Sequence, residues 1–226
     1  MAKLLEIQIE TLFRFDAQGR MAVQGRTADR TSPRLFLGRS SRGNRLLLRA
    51  DIEPELASRL GSIAEREPVV GDLQRDRVTS TALEAALDPV SARFQGPAWV
   101  LPDLASRIGD AQLITPENVD CARNSFSWVR DELAEISPCV AVIEEDAVVS
   151  VCHRAALGPR AAEAGVETAP TARGRGLATR VAAAWAAQVQ RAGRLALYST
   201  TWDNRASTAI AVGLGGTLYA EDFHPT

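Results

Sequence analysis

The sequence is poor in the residues that build metal centres and disulfide frameworks. It contains two histidines and three cysteines, Cys121, Cys139 and Cys152, at spacings that match no metal-binding pattern. An odd number of widely spaced cysteines also argues against a disulfide scaffold and favours a reducing compartment. We therefore predict a cytoplasmic protein that binds no metal ion.

The sequence also lacks the features of membrane proteins and of general nucleic-acid binders. No apolar run reaches membrane-spanning length, and the first fifteen residues alternate polar with apolar side chains, unlike a signal peptide. The net charge is only −2, so no overall field attracts nucleic acid or a membrane surface. Seven arginines lie between Arg26 and Arg49, which leaves phosphate or nucleic-acid binding as an alternative to solvent-exposed hairpin faces there.

The first ninety residues are predicted to form a smaller, β-rich N-terminal domain of unknown role. Apolar and polar residues alternate from Leu5 to Phe15, a pattern typical of a half-buried strand, and Met21–Gln24 is its predicted return partner. A second hairpin is predicted for residues 34–49, with its turn near Gly43, and a helix for residues 51–64. Prolines crowd between residues 67 and 116, so we place a domain boundary at about residue 90.

The following part, residues 91–226, alternates helices and strands in a way that indicates an α/β domain. Strands are predicted for residues 140–144, 148–153, 163–168, 195–200 and 217–220. A helix, whole or broken in two, is predicted for residues 117–135, and a loop for 155–162. Leu177, Val181, Trp185 and Val189 recur at every fourth position, which lays one face of a further helix on the sheet.

The segment 163–179, EAGVETAPTARGRGLAT, has the character of an anion-binding loop. Glycines at the start of a helix let backbone N–H groups approach a ligand, and the unpaired amides of the first turn carry partial positive charge. No lysine follows these glycines, which excludes a P-loop. Thr179 stands where a dinucleotide-binding motif has its third glycine, and no acidic residue follows the strand at 195–200.

Arg173, Gly176 and Ala178 instead fit the pattern R-x-x-G-x-A. This hexapeptide resembles the acyl-CoA loop of the GCN5-related N-acetyltransferases (GNAT), and the order strand, loop, helix, strand, helix around it is similar to the second half of that fold. The tract also resembles a sub-group that includes antibiotic self-resistance acetyltransferases. The resemblance implies a mixed central sheet flanked by helices, with acetyl-CoA as cosubstrate and a primary amine as acceptor. We predict that this amine belongs to a small molecule, with a peptide N-terminus or a lysine as the alternative.

The resemblance also implies which residues form the site. In this family the strand before the loop separates from the next strand, the pantetheine arm lies in the gap, a backbone N–H there binds the carbonyl oxygen, and a strand glutamate often acts as the base. Glu163 and Glu167 are therefore the catalytic candidates, because a carboxyl in a cleft has a raised pKa and can accept a proton near neutrality. The residues expected to contact acetyl-CoA are Val166, Thr168, Ala169, Arg173, Gly174, Arg175, Gly176, Leu177, Ala178, Thr179, Asn204 and Ser207.

The chain departs from the family pattern at the general acid. Many relatives carry a tyrosine seven residues after the asparagine that corresponds to Asn204, and this position is Ala211 here. Ser207 or Tyr198 can take that role, or the thiolate leaves unaided. A catalytically inactive acyl-CoA sensor is therefore an alternative, besides a nucleic-acid-binding protein.

The family fold has one more strand than this chain has room for. We predict that the N-terminal domain, or a second subunit in a homodimer, covers the edge of the final strand, because bare edges invite association.

Overall fold

The computed structural model describes residues 2–24, 31–73, 78–106 and 109–225. These residues divide into two compact units. Unit 1 contains the described residues up to Ala98, together with Thr200–Asn204 and the segment from Leu218 onward. Unit 2 contains Trp99–Ser199 and Arg205–Thr217.

Unit 1 combines three helices with antiparallel strands. The helices are α1 (Ala2–Leu12), α2 (Pro54–Ala64) and α3 (Val78–Leu87), and the strands are β1 (Leu35–Ser40), β2 (Gly43–Leu48) and most of β3 (Arg93–Val100) and β9 (Thr217–Pro225). The hairpin β1–β2 and the helix α2 confirm the sequence-based predictions for residues 34–64. The core of this unit is formed by Leu35, Leu37, Ile52, Leu60, Ala64, Leu83, Leu87 and Phe223.

The prediction of a strand from Leu5 to Phe15 is wrong, because residues 2–12 form α1. Leu5, Gln8 and Ile9 are all buried, which is the spacing of one helix face. Gln8 counted as a solvent-facing residue in the alternating pattern, yet its side-chain amide donates to Asp222 Oδ2 over 2.6 Å. Thr11 is buried as well, and its hydroxyl donates to the Ile7 carbonyl one turn earlier. Because α1 is buried on more than one face, Leu5, Ile7 and Ile9 are all apolar although they lie at alternate positions. This spacing is the same as that of a half-buried strand.

The N-terminal segment covers the edge of β9, as predicted from the sequence. β1 pairs antiparallel with β9, with Leu37 opposite Phe223 and Arg39 opposite Glu221. β9 runs to Pro225, five residues beyond the predicted strand end. Whether the chain forms a homodimer stays a prediction. Helix exceeds strand among the described residues before position 90, so a separate β-rich domain ending there is also still a prediction.

A buried group of charges ties the elements of unit 1 together. Arg39 Nε lies 2.6 Å from Glu67 Oε1, and its Nη1 lies 2.6 Å from Glu221 Oε2. All three side chains are at most 2% exposed. Gln95 and the indole N–H of Trp202 donate to the other oxygen of Glu221, over 3.0 and 3.1 Å. One cation thus meets two carboxylates, and neutral donors stabilise the remaining negative charge.

Unit 2 is built on a mixed sheet, which confirms the predicted α/β class. Its strands are ordered β8-β7-β6-β5-β4, and β7 runs parallel to β8 and antiparallel to β6. The helices α4 and α5 pack against this sheet. The strands are β4 (Gln112–Leu113), β5 (Val140–Glu144), β6 (Ala147–Leu157), β7 (Ala161–Thr168) and β8 (Leu195–Ser199), and the helices are α4 (Trp128–Ile136), α5 (Leu177–Arg191) and α6 (Arg205–Gly213).

Two predicted boundaries in unit 2 require correction. The helix expected over 117–135 is two short 3-10 helices, Val119–Cys121 and Asn124–Phe126, followed by α4. The loop expected over 155–162 is mostly strand, because β6 continues to Leu157 and β7 begins at Ala161. Alanine has low strand propensity, but both strands are held in register here, with Leu157 opposite Ala162.

No helix in the described parts of the chain is long and apolar enough to cross a membrane.

Candidate active site

The strands β7 and β8 pair only at their beginnings and then separate. Their parallel register joins Ala161 with Leu195, Ala162 with Ala196, and Glu163 with Leu197, and no later pair joins these two described strands. On its other edge, β7 stays paired with β6 as far as Thr168. We call the unpaired edge of β7 from Ala164 to Thr168, opposite the end of β8, the β7–β8 gap.

Backbone groups of β7 point into the β7–β8 gap. The Ala169 N–H donates to the Val149 carbonyl over 2.9 Å, which makes these two residues a hydrogen-bonded antiparallel pair. Because such pairs alternate along a ladder, Val166 and Thr168 turn their N–H and C=O groups away from β6. The N–H of Val166 therefore lies on the gap side, where a donor for a carbonyl oxygen was predicted.

Glu163 lies where the pairing of β7 with β8 ends. Its side chain is buried, and the Ser199 hydroxyl donates to its Oε1 over 2.7 Å. Its Oε2 is also buried and has no hydrogen-bond partner. Burial raises the pKa of Glu163 to about 7, against the opposing effect of hydrogen bonds from the Ser199 side chain and backbone. A pKa near neutrality is what a general base requires, and one of the two carboxyl oxygens makes no hydrogen bond.

Glu167, the second catalytic candidate, lies on the same face of β7 but is exposed. The bulge that interrupts this part of the sheet is in β6, where Ala155 is the extra residue between Arg154 and Ala156, so it does not separate the two glutamates. The two glutamates differ in burial instead, since Glu163 is buried and Glu167 is exposed.

His153 and the cysteines of unit 2 have packing roles. The ring of His153 lies over Gly165, where an added Cβ would be 2.5 Å from its Nε2, and it meets the Trp128 ring edge to face at 5.0 Å. Burial raises the pKa of the Cys121, Cys139 and Cys152 thiols, most of all that of the fully buried Cys152. These thiols are therefore protonated at neutral pH and are poor nucleophiles. Within the described residues, no three His, Cys, Asp or Glu side chains are grouped so that they could hold a metal ion.

The loop before α5 exposes backbone amides. Gly174 and Gly176 have φ angles of 76° and 74°, in the left-handed region that favours glycine, and the space around both is open. Gly176 is the N-cap of α5, and the Arg180 N–H makes the first intrahelical bond to its carbonyl. The amides of Leu177, Ala178 and Thr179 consequently have no acceptor within the helix. The loop thus has the open glycines and unpaired amides on which the prediction of anion binding depends, and the binding itself stays a prediction.

The two arginines of the loop differ in their partners. Arg173 is exposed, and its Nε is 3.4 Å from the Thr168 carbonyl. Arg175 forms a two-pronged ion pair with Glu144, at 2.9 and 2.6 Å, and this bond lowers the pKa of the carboxyl. Glu144 was missed in the sequence, although its place at the end of β5, as the first of three consecutive acidic residues, was a usable signal.

Tyr198 and Ser207 are joined near the end of β8. The Tyr198 phenol and the Ser207 hydroxyl are 2.6 Å apart, and burial raises the pKa of Tyr198 to about 12. Ala211, one turn after Ser207 on α6, is fully buried. Asn204 belongs to unit 1 and is exposed, in a turn closed by its N–H and the Thr201 carbonyl.

Comparison with known proteins identifies the family of this domain. Residues 137–221 match the family model described as GNAT acetyltransferase. Among solved structures, a GCN5-related N-acetyltransferase-like protein from Streptococcus suis superposes with a TM-score of 0.52 at 18% identity, covering 86% of this chain and 85% of that one. A protein from Novosphingobium aromaticivorans assigned to the GNAT family superposes with a TM-score of 0.50 at 17% identity, covering 60% of this chain and 65% of that one.

Identities this low establish a common fold only. A search of curated protein sequences gives no match. The matched segment contains β5 to β8, the glycine loop and most of β9. Residues 137–221 of this chain therefore match the GNAT acetyltransferase family model, and the chain shares its fold with proteins assigned to that family.

Proposed function

We propose that this protein transfers an acetyl group from acetyl-CoA to a primary amine on a small molecule, by direct attack of the amine on the thioester. One observation carries the proposal: β7 and β8 separate immediately after Glu163, whose buried Oε2 has no partner. A gap that begins beside a buried carboxyl with one unpaired oxygen suits a reaction in which a nucleophile must lose a proton.

The glycine loop supplies the binding energy for the cosubstrate. The amides of residues 174–179 and the positive end of the α5 dipole stabilise the pyrophosphate of CoA. Arg173 adds a formal charge, since its side chain is exposed, whereas the charge of Arg175 is shared with Glu144. The pantetheine arm follows Val166, Thr168 and Ala169 along the β7–β8 gap, and Asn204 and Ser207 remain predicted contacts.

The reaction follows from this placement. The amine nitrogen attacks the thioester carbon, and Glu163 Oε2 accepts the proton that the nitrogen loses. The Val166 N–H donates to the carbonyl oxygen as negative charge develops there. The C–S bond then breaks, and CoA leaves as a thiolate, which is a tolerable leaving group because a thiol has a pKa of about 8.5.

The test is thiol release from acetyl-CoA in the presence of a panel of primary amines, with Glu163→Gln and Glu167→Gln as a matched pair. The amide keeps the shape of the side chain but cannot accept the proton. We expect Glu163→Gln to lower kcat/KM by about 100-fold or more while acetyl-CoA binding is retained. A larger loss in Glu167→Gln would move the base to the exposed carboxylate, and undiminished turnover in both variants would refute a glutamate base.

A second candidate function is an acyl-CoA sensor without catalysis. It is favoured by Ala211, whose methyl group is fully buried. Many relatives have at this position the tyrosine that acts as general acid. A sensor binds acetyl-CoA but releases no thiol with any amine in the panel, so the same assay separates the two functions.

A further inference from the structure

Ser199 is the last residue of β8 and lies against Glu163, although the two strands are no longer paired there. Its hydroxyl donates to Glu163 Oε1 over 2.7 Å, and its backbone also hydrogen-bonds to the same carboxyl. Glu163 thus has one oxygen held by Ser199 and one buried oxygen without a partner. An unpaired buried polar atom is costly and calls for an explanation.

We propose that Ser199 is a positioning residue that holds Glu163 by Oε1 and thereby presents Oε2 as the atom that takes the proton from the acceptor amine. This inference rests on the proposed acetyl transfer. A hydroxyl that donates to Oε1 occupies that oxygen whether the carboxyl is charged or protonated. The incoming proton is consequently directed to Oε2, and the carboxyl cannot rotate freely between two equivalent arrangements.

The other groups described near Glu163 are apolar or neutral, so we assign the positioning of its carboxyl to Ser199. The buried face of α5, which packs against β7, carries apolar side chains such as Val181 and Trp185. Tyr198 on β8 is a titratable group whose pKa is affected by the charge of Glu163, and burial keeps this phenol in the neutral form near neutral pH. Among the described residues, only the hydrogen bonds from Ser199 oppose the effect of burial on the Glu163 pKa.

The first measurement is the pH dependence of kcat/KM for wild type, Ser199→Ala and Ser199→Thr. Alanine removes the hydroxyl, whereas threonine keeps it and suits a strand. Because a hydrogen bond to a charged group is lost, we expect the acidic limb of the Ser199→Ala profile to move upward by about one pH unit. Threonine should restore the wild-type limb. A purely structural role would lower the rate at every pH and leave the limb where it is.

A second measurement separates this inference from the proposed function. In protein labelled with ¹³C at the glutamate side chains, the Glu163 signal is the one missing in Glu163→Gln, and its titration needs no turnover. We expect its midpoint to rise in Ser199→Ala and to return in Ser199→Thr. An equal midpoint in wild type and Ser199→Ala refutes the role of Ser199, even in an active enzyme. If no amine gives thiol release but the midpoint moves, acetyl transfer fails while the control of Glu163 by Ser199 stands.

Discussion

A charge placed in the first turn of α5 provides a direct test of acetyl-CoA binding by the glycine loop. Ala178 is the second residue of this helix and is only partly buried, so its Cβ has room for a longer side chain. A glutamate there is expected to stabilise the helix by about 0.3–1 kcal/mol through the dipole, but it repels a bound pyrophosphate. Gly176 is a poorer choice, because at its φ of 74° any side chain strains the backbone.

The size of the repulsion follows from Coulomb's law. At about 6 Å and an effective dielectric constant of about 40, a carboxylate repels each phosphate charge by roughly 1.4 kcal/mol. The repulsion from two phosphate charges, reduced by roughly half through screening at 0.1 M salt, amounts to about 1.4 kcal/mol. This energy corresponds to about a tenfold higher Kd.

The assay is calorimetric titration of acetyl-CoA into wild type, Ala178→Glu and the isosteric control Ala178→Gln, at 0.1 and 0.5 M salt. We expect the glutamine variant to bind within about twofold of wild type, and the glutamate variant about tenfold more weakly at the lower salt concentration. The difference should shrink at 0.5 M salt, since the repulsion is screened. Equal affinities of the two variants at 0.1 M salt, with a thermal midpoint no lower than that of wild type, would contradict pyrophosphate binding at this helix.

Three further predictions concern buried or paired charges. Because the folded-state pKa of Glu163 is raised from 4.5 to about 7, its contribution to stability is present below pH 4.5 and lost as the pH rises through 7. Glu163→Gln should therefore exceed wild type in unfolding free energy by about 3 kcal/mol more at pH 8 than at pH 4.5, in guanidinium titrations. Arg39→Leu leaves two buried carboxylates without their cation and should lower the unfolding free energy by about 3–5 kcal/mol, whereas Glu221→Gln leaves a balanced ion pair and should lower it less; equal losses would contradict this account. Glu144→Gln frees Arg175 for phosphate and should tighten acetyl-CoA binding with a steeper salt dependence, which the same calorimetry measures.

The elements that local sequence determines were predictable. The strand, glycine loop and helix at 163–191 were predicted within a few residues, because alternation, glycine and a four-residue apolar spacing each act within one element. The helix α1 was not predictable in this way. Its buried Gln8 is stabilised by Asp222, 214 residues away, and no local pattern shows that a glutamine has such a partner.

The candidate site shows the same division. The sequence indicated Glu163 as an acid in a cleft, but it did not indicate Ser199, which contacts it from 36 residues away. The pairing of Arg175 with Glu144, 31 residues away, was likewise missed. Both contacts join residues of different elements, and an alternating pattern shows which face a residue occupies without showing the partner on that face.

The pairing of β1 with β9 has a consequence for the synthesis of the protein. Arg39 and Glu221 are 182 residues apart, yet both belong to unit 1. A ribosome that adds about 5–20 residues per second needs roughly 9 to 36 seconds to proceed from one to the other. During that interval β1 has an open edge, and the Arg39 side chain lacks one of its two carboxylates. We therefore expect the edge of β1 to stay unpaired until almost the whole chain has been synthesised, because its partner strand β9 lies in the last segment of unit 1.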